Sequence, residues 1–223
     1  MGIAERKERE REQRRQAIID AAEKVFFTKG YDSSTMDDIA SMAELSKGTL
    51  YLYFQSKDEV HFEIMDRGNQ ILLVYMEKAI DPEKSGHDNL RLLGEAFVEF
   101  SNSHPDYFQA MMFFQSRDME HQRIDEQKLK RFIEGRSSIS MLNDMVLKGI
   151  ADGSVRRDLS PTHLTTLLWS QMMGILVMYA MKQPAFEFQK ITREELVTFH
   201  LDLISDGLKP ENMERKSHGS PDL

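Results

Sequence analysis

Between Ser34 and Lys57 the chain reads STMDDIASMAELSKGTLYLYFQSK, two short helical runs joined by a tight turn, with a third helix starting at once behind them. Thr35 stands where it caps the first run, and Asp38, three residues on, closes a capping box. Ile39, Ala40 and Ala43 give that run its buried side, the alanines permitting close helix approach. Leu45 ends the turn apolar. Ser46 caps the second run, whose inward positions Leu50 and Phe54 are four residues apart. Its outward face carries Lys47, Gly48, Thr49, Tyr51 and Tyr53: a charge, bare backbone and hydroxyls, a surface suited to a polar groove. The pattern predicts a helix-turn-helix whose second helix lies in the major groove of DNA.

Spacing alone is shared by many helical hairpins, but the wording is closer than spacing. Thr35 to Ala40 (TMDDIA), Ser46 to Phe54 (SKGTLYLYF) and Ser56 to Glu59 (SKDE) closely resemble the DNA-binding domain of the TetR (tetracycline repressor) family. The resemblance runs from about Gln16 to Val60. It implies that Lys47, Gly48, Thr49 and Leu52, following the cap at Ser46, face base edges or the groove floor. By the same resemblance Tyr51, Tyr53 and Lys57 meet the DNA backbone, and Thr35 sits where a helix N-terminus meets a phosphate. The residues suit these roles: lysine donates to guanine O6 or N7, and a threonine methyl touches a thymine methyl. A cation in a helix's first turn opposes the dipole, and a phosphate beside Lys57 resolves that conflict. The alternative for Tyr51 and Tyr53 is packing against the first helix.

The period is helical nearly everywhere, with glycine and proline at segment ends, so the fold class is all-α with about nine helices. Residues 1–60 form the helix-turn-helix domain, 61–208 a helical effector-binding and dimerisation domain, and 209–223 a disordered tail. Within the first domain, Ile18, Ala21, Ala22, Val25 and Phe26 make one buried stripe on a helix from about Arg14 to Lys29. A helix from Lys57 to about Ala79 leaves the reading head and is placed to carry motion out of it. Beyond the linker DPEKSGH (residues 81–87), helices are expected over 88–103, from Asp106, over 126–152, 160–182 and 192–208, with a polar loop near 117–125.

Taken as a sum, the net charge of −8 opposes DNA binding, but phosphate contacts are local. Residues 1–16 hold six Lys or Arg against four Glu, a balance of +2. Residues 1–13 read as a flexible arm against a phosphate backbone, or as a solvated helical extension laced with i, i+4 pairs. There is no cysteine, hence no disulfide and no thiolate metal site. The seven histidines are scattered without zinc spacing, and no phosphate loop or nucleophile elbow occurs, so no metal, cofactor or catalytic site is expected. The charged start is no secretory signal and no uninterrupted apolar run is long enough for a bilayer, which places the protein in the cytoplasm, away from membranes.

In the second half, a stripe through Phe132, Arg136, Ile139, Asn143, Val146 and Ile150 turns Arg136 and Asn143 inward, where a charge needs a partner. Gln171 lies on a stripe with Leu164, Leu168, Ile175 and Met178. Together with Phe108, Met111, Met112, Trp169 and Met172, the residues Arg136, Ile139, Asn143, Gln171 and Ile175 are candidates to line an apolar effector pocket; the alternative is an ordinary core. The segment from Leu164 to Met181 is apolar on nearly all sides, so it is either central to its domain or faces another subunit. Leu168, Met172, Leu196, Phe199 and Leu203 are the candidate dimer residues, and the resemblance implies a four-helix homodimer interface. A two-fold dimer suits a palindromic operator on double-stranded DNA. The expected function is a dimeric repressor released by a small, mostly apolar effector. Its alternative is a helix-turn-helix regulator without a small-molecule ligand, governed by a protein or acting as an activator or architectural factor.

Overall fold

The computed structural model describes residues 2–116 and 124–210. Among them are ten helices and no strand: α1 (Ile3–Lys29), α2 (Met36–Met42), α3 (Lys47–Tyr51), α4 (Lys57–Ala79), α5 (Gly86–Ser103), α6 (Pro105–Ser116), α7 (Glu126–Glu134), α8 (Ser138–Asp152), α9 (Pro161–Phe188) and α10 (Arg193–Leu208). The all-α class stands. The extra helix arises because the single helix expected over 126–152 is two. Gly135 takes an extended conformation (φ −77°, ψ 175°), and the Ser137 hydroxyl accepts from Ser140 N at 3.2 Å, restarting the helix as α8.

Two other expectations are corrected. Residues 3–13 are not a flexible arm but the first turns of α1, braced by Arg6–Glu10 (2.9 Å) and Gln16–Glu12 (2.7 Å). Helix α9 passes Lys182, bending there (φ −123°, ψ 24°) two residues before Pro184, whose ring disrupts the preceding turn. At 28 residues α9 is long and apolar enough by composition to cross a bilayer, which a search for an uninterrupted apolar run passes over; here it packs on α8 and α10. Of the expected loop and tail, residues 117–123 and 211–223 lie outside the described residues.

The chain divides into two compact units, Met1–Ile71 with Ser101–Arg136, and Leu72–Phe100 with Ser137–Leu223. The break falls within α4, not at residue 60, and α6 and α7 group with the N-terminal helices. In the first unit the core is the α1 stripe Ile18, Ala22, Val25 and Phe26, joined by Ile39, Ala40, Leu50, Phe54, Val60, Ile64 and Ala110. A polar knot ties α1, α4 and α6: Arg67 donates to Asp20 and Glu23 (2.8 Å each) and to Gln16 (2.7 Å), while the Tyr107 hydroxyl donates to Glu23 at 2.8 Å. Burial, with Glu23 beside it, pushes the Tyr107 phenol up to about 12.

In the second unit, Leu93, Phe100, Val146, Val155 and Leu176 are almost wholly buried. Asn89, fully buried, organises the 81–85 turn: its carbonyl accepts from Asp81 N (2.8 Å) and its amide donates to the carbonyls of Asp81, Lys84 and Ser85 (2.9–3.2 Å). The start of α5 lies directly on α8. A Cβ at Gly86 would fall 2.1 Å from Gly149 N, backbone that no rotamer change moves aside. Gly86→Ala is therefore expected to cost about 1–3 kcal/mol by overpacking, read as a lower urea midpoint; an unchanged midpoint would mean α5 and α8 do not meet there.

Candidate nucleic-acid interface and effector cavity

The reading head sits in the first unit. Thr35 caps α2 and forms the expected box with Asp38: the hydroxyl accepts from Asp38 N at 3.1 Å, and the carboxylate accepts from Thr35 N at 2.9 Å. Lys29 donates to the same carboxylate at 2.5 Å. The hydrogen bond from Lys29, then those from Thr35, hold the Asp38 carboxyl down to about 2. Ser46 caps α3, accepting from Thr49 N at 3.1 Å, and the Ser46 and Thr49 hydroxyls bond each other at 2.8 Å. Leu50 and Phe54 are wholly buried, which leaves Lys47, Gly48, Tyr51 and Leu52 facing outward, Leu52 at 75% exposure.

Three positions carry information absent from the sequence pattern. Lys47 reaches back to α2, its ammonium 2.8 Å from Asp37 Oδ1. A Cβ on Gly48 would meet only Ser46 Oγ at 4.0 Å, so neither packing nor backbone conformation demands glycine there. Lys57 is half-buried and points into the protein: it donates to the carbonyls of Tyr31 (2.7 Å) and Ser34 (2.8 Å) and lies 4.1 Å from the centre of the Tyr31 ring. The carbonyls, rather than a phosphate, offset its position at the helix N-terminus. Tyr53 is half-buried against the core, the packing alternative, while Tyr51 stands outward.

The second unit holds a narrow apolar cavity of about 60 Å³ between α5, α9 and α10. Leu90, Leu93 and Phe97 of α5 face Leu168, Trp169 and Met172 of α9, with Leu201 and Ile204 of α10 closing it. Phe97 and Trp169 stack, centroids 5.1 Å apart. Gly94 lets α10 pack closely on α5; a Cβ there would stand 2.6 Å from a Leu201 methyl. The polar edge carries no free charge. Arg91 is held by Asp202 (2.7 Å) and Glu95 (3.1 Å), His87 Nε2 lies 2.9 Å from Ser205 O, and burial lowers the His200 pKa so that its ring is neutral near pH 7.

Of the ten residues expected at the pocket, only Trp169 and Met172 line this cavity. Arg136 is exposed in the α7–α8 connection, because the break at Gly135 resets the stripe that was to turn it inward. Ile139, the second residue of α8, is 42% exposed for the same reason. Asn143 accepts from the Thr165 hydroxyl at 3.1 Å, so the core satisfies its carbonyl. Gln171 and Ile175 are half-buried away from the cavity, the Gln171 carbonyl oxygen having no hydrogen-bond partner. Phe108, Met111 and Met112 belong to the first unit, the first two buried in its core. Sequence reasoning missed the α5 and α10 walls; the signal was Gly94 amid the apolar face of a helix. Among the dimer candidates, Leu168 and Met172 face the cavity and Leu196 is half-buried. Phe199 and Leu203 stand 66% and 61% exposed, and the outward stripe of α9 is Leu167, Ser170, Gly174, Met178 and Met181.

Residues 18–64 match the family model of bacterial regulatory proteins of the tetR family. These residues thus form a TetR-type DNA-binding domain. The chain's relatives include the HTH-type transcriptional regulator YhgD of Bacillus subtilis, 28% identical over 145 residues (64% of this chain, 72% of that one). The HTH-type transcriptional activator FasR of Mycolicibacterium smegmatis is 34% identical over 90 residues, 40% of this chain and 41% of the other. Across the whole TetR-type fold, the crystal structure of FadR from Bacillus subtilis in complex with stearoyl-CoA aligns with a TM-score of 0.66 at 21% identity, covering 86% of this chain and 98% of that one.

Gly48→Ala separates folding from reading. Replacing a helical glycine that packs on nothing should raise stability by up to about 1 kcal/mol, while the added methyl should weaken DNA binding; equal binding by both forms would remove Gly48 from the interface. The Asp38 carboxyl gives a pH prediction. Its folded pKa of about 2 lies below the ordinary 3.8, so the cap's contribution is full above the ordinary range and disappears as pH falls through about 2. A carboxyl-carbon NMR titration should find that midpoint, and Lys29→Ala should move it upward.

Proposed function

We propose that this TetR-family regulator is a homodimeric repressor that reads a palindromic operator with α3 and leaves it when a small, mostly apolar molecule enters the α5–α9–α10 cavity. The observation that carries the reading is the cavity itself: apolar walls, an aromatic stack, and a polar edge whose charges are already paired. Such a site selects by shape and hydrophobicity. A long acyl chain matches that chemistry and would part the walls on entering, and FadR, which shares the fold, was crystallised with stearoyl-CoA. The outward stripe of α9, with small Ser170 and Gly174 at its centre, and exposed Phe199 and Leu203 of α10 supply the dimer face. For the ligand to act as a switch it must bind the DNA-incompetent state more tightly, and DNA must then weaken the ligand by the same factor. A FasR-like activator would use the same parts, with the opposite effect on transcription.

Two measurements test this. Stearoyl-CoA should raise the melting temperature and release an operator selected from random-sequence duplexes, while Leu168→Trp, which fills the cavity, should bind the operator but ignore the ligand. Release that persists in Leu168→Trp would move the effector site elsewhere. Phe199→Glu should sediment as a folded monomer with weakened operator binding; a folded dimer would dismiss the α9–α10 face.

A further inference from the structure

The first twelve residues of α1, Ile3 to Arg14, are exposed on every side. A polar helical stretch of that length has little stability of its own and buries nothing here. Its charges are nevertheless sorted. Arg6 pairs with Glu10, and further along Arg15 pairs with Glu63 and Glu12. Lys7, Arg11 and Arg14 have no acidic partner among the described residues. These three recur at i, i+4 and i+7, so they share one face and span about 10 Å along the axis.

That face forms one wall of an open cleft of about 820 Å³. The opposite wall is the α2–α3 turn, Glu44 and Leu45, with Tyr53 behind it. Glu10 also borders the cleft but is neutralised by Arg6. Three unpaired cations against the single carboxylate of Glu44 leave the cleft net positive in a chain of net charge −8. The wall contributed by the helix-turn-helix shows what the cleft adjoins: the turn that carries α3.

We propose that this cleft seats the sugar–phosphate backbone of DNA flanking the sequence read by α3, with Lys7, Arg11 and Arg14 on successive phosphates and the Tyr53 side of the turn closing on the strand. The proposal rests on the reading of α3 as the base-reading helix. It gives the α1 extension a role: an exposed helix wall whose cations are held ready by the helical repeat rather than by internal pairing. Because phosphate contacts are blind to sequence, the cleft acts on any duplex.

The experiment is a salt titration of full-length protein on a random-sequence duplex of about 40 base pairs, where each lost phosphate contact lowers the slope of log K against log salt by about 0.9. Arg11→Ala combined with Arg14→Ala should lower the slope by about 1.8, and alanine preserves the helix. Arg9→Ala combined with Lys24→Ala removes the same charge from positions outside the cleft and should leave the slope unchanged. Equal losses in both pairs would reduce the effect to net charge and overturn the cleft, as would no loss in either. Lys47→Ala on a selected operator runs alongside. If it weakens binding while Arg11→Ala with Arg14→Ala keeps the wild-type slope, the cleft alone falls. If it binds as wild type while the cleft pair still lowers the slope, the cleft stands as a DNA site and the α3 reading falls.

Discussion

A helix of five residues cannot hold itself in water, and α3 has five. Its position is inherited from the helices around it through two side chains, Leu50 and Phe54, both wholly buried in the core built on the α1 stripe. The chain leading into α2 is fixed by a second device. Lys57, in the first turn of α4, grips the carbonyls of Tyr31 and Ser34, and Tyr31 in turn donates to Asp58 at 2.5 Å. An ammonium there would suffer from the helix dipole unless acceptors offset it, and the two carbonyls do. The outward residues of α3 are thus free of structural duty: Gly48 packs on nothing, and Lys47 touches only Asp37.

The parts of this arrangement that were legible in the sequence are those encoded at fixed short offsets. The capping box at Thr35–Asp38 and the cap at Ser46 are formed as the spacing predicts because each is closed within one turn. The inward bonds of Lys57 were not legible because its partners lie 23 and 26 residues away, beyond any local pattern. Arg136 failed differently. An apolar period carried straight through Gly135 and Ser137 outweighed two local signals, a glycine and a capping serine, that together end one helix and start another. Where periodicity and capping chemistry disagree, the capping residue holds backbone hydrogen bonds that the period does not, and here it prevailed.

The cavity was the least legible feature, for a reason of packing rather than of local chemistry. Methionine and aromatic runs mark apolar surface without saying whether it meets other side chains or empty space. Phe108 and Met111 went to solid core, and Asn143 found Thr165. The hollow lies between α5, α9 and α10 beside Gly94, whose missing side chain admits a Leu201 methyl, and only the neighbouring helices reveal where that packing stops short. Its edge is equally non-local: Arg91 is neutralised by Asp202, 111 residues away. With that charge committed, an anionic end inside the cavity would gain little, which favours an occupant that buries hydrocarbon and keeps any charged group at the mouth.

The acidic balance of the whole chain follows the same logic of local pairing. At physiological salt, charges further apart than about 8 Å are largely screened, so a net charge of −8 says little about a phosphate touching one face. What matters is which cations are already occupied. Arg67 is held by Asp20 and Glu23, Arg15 by Glu63 and Lys29 by Asp38, each tying helices of the first unit together. Those side chains support the fold and have little left to offer an external anion. Several of the cations without an internal carboxylate, Lys7, Arg11 and Arg14 among them, lie along the exposed turns of α1, where no packing requirement explains them. Pairing within the first unit, rather than net composition, therefore identifies the basic residues that build it, and an exposed pair such as Lys47–Asp37 does not count among them.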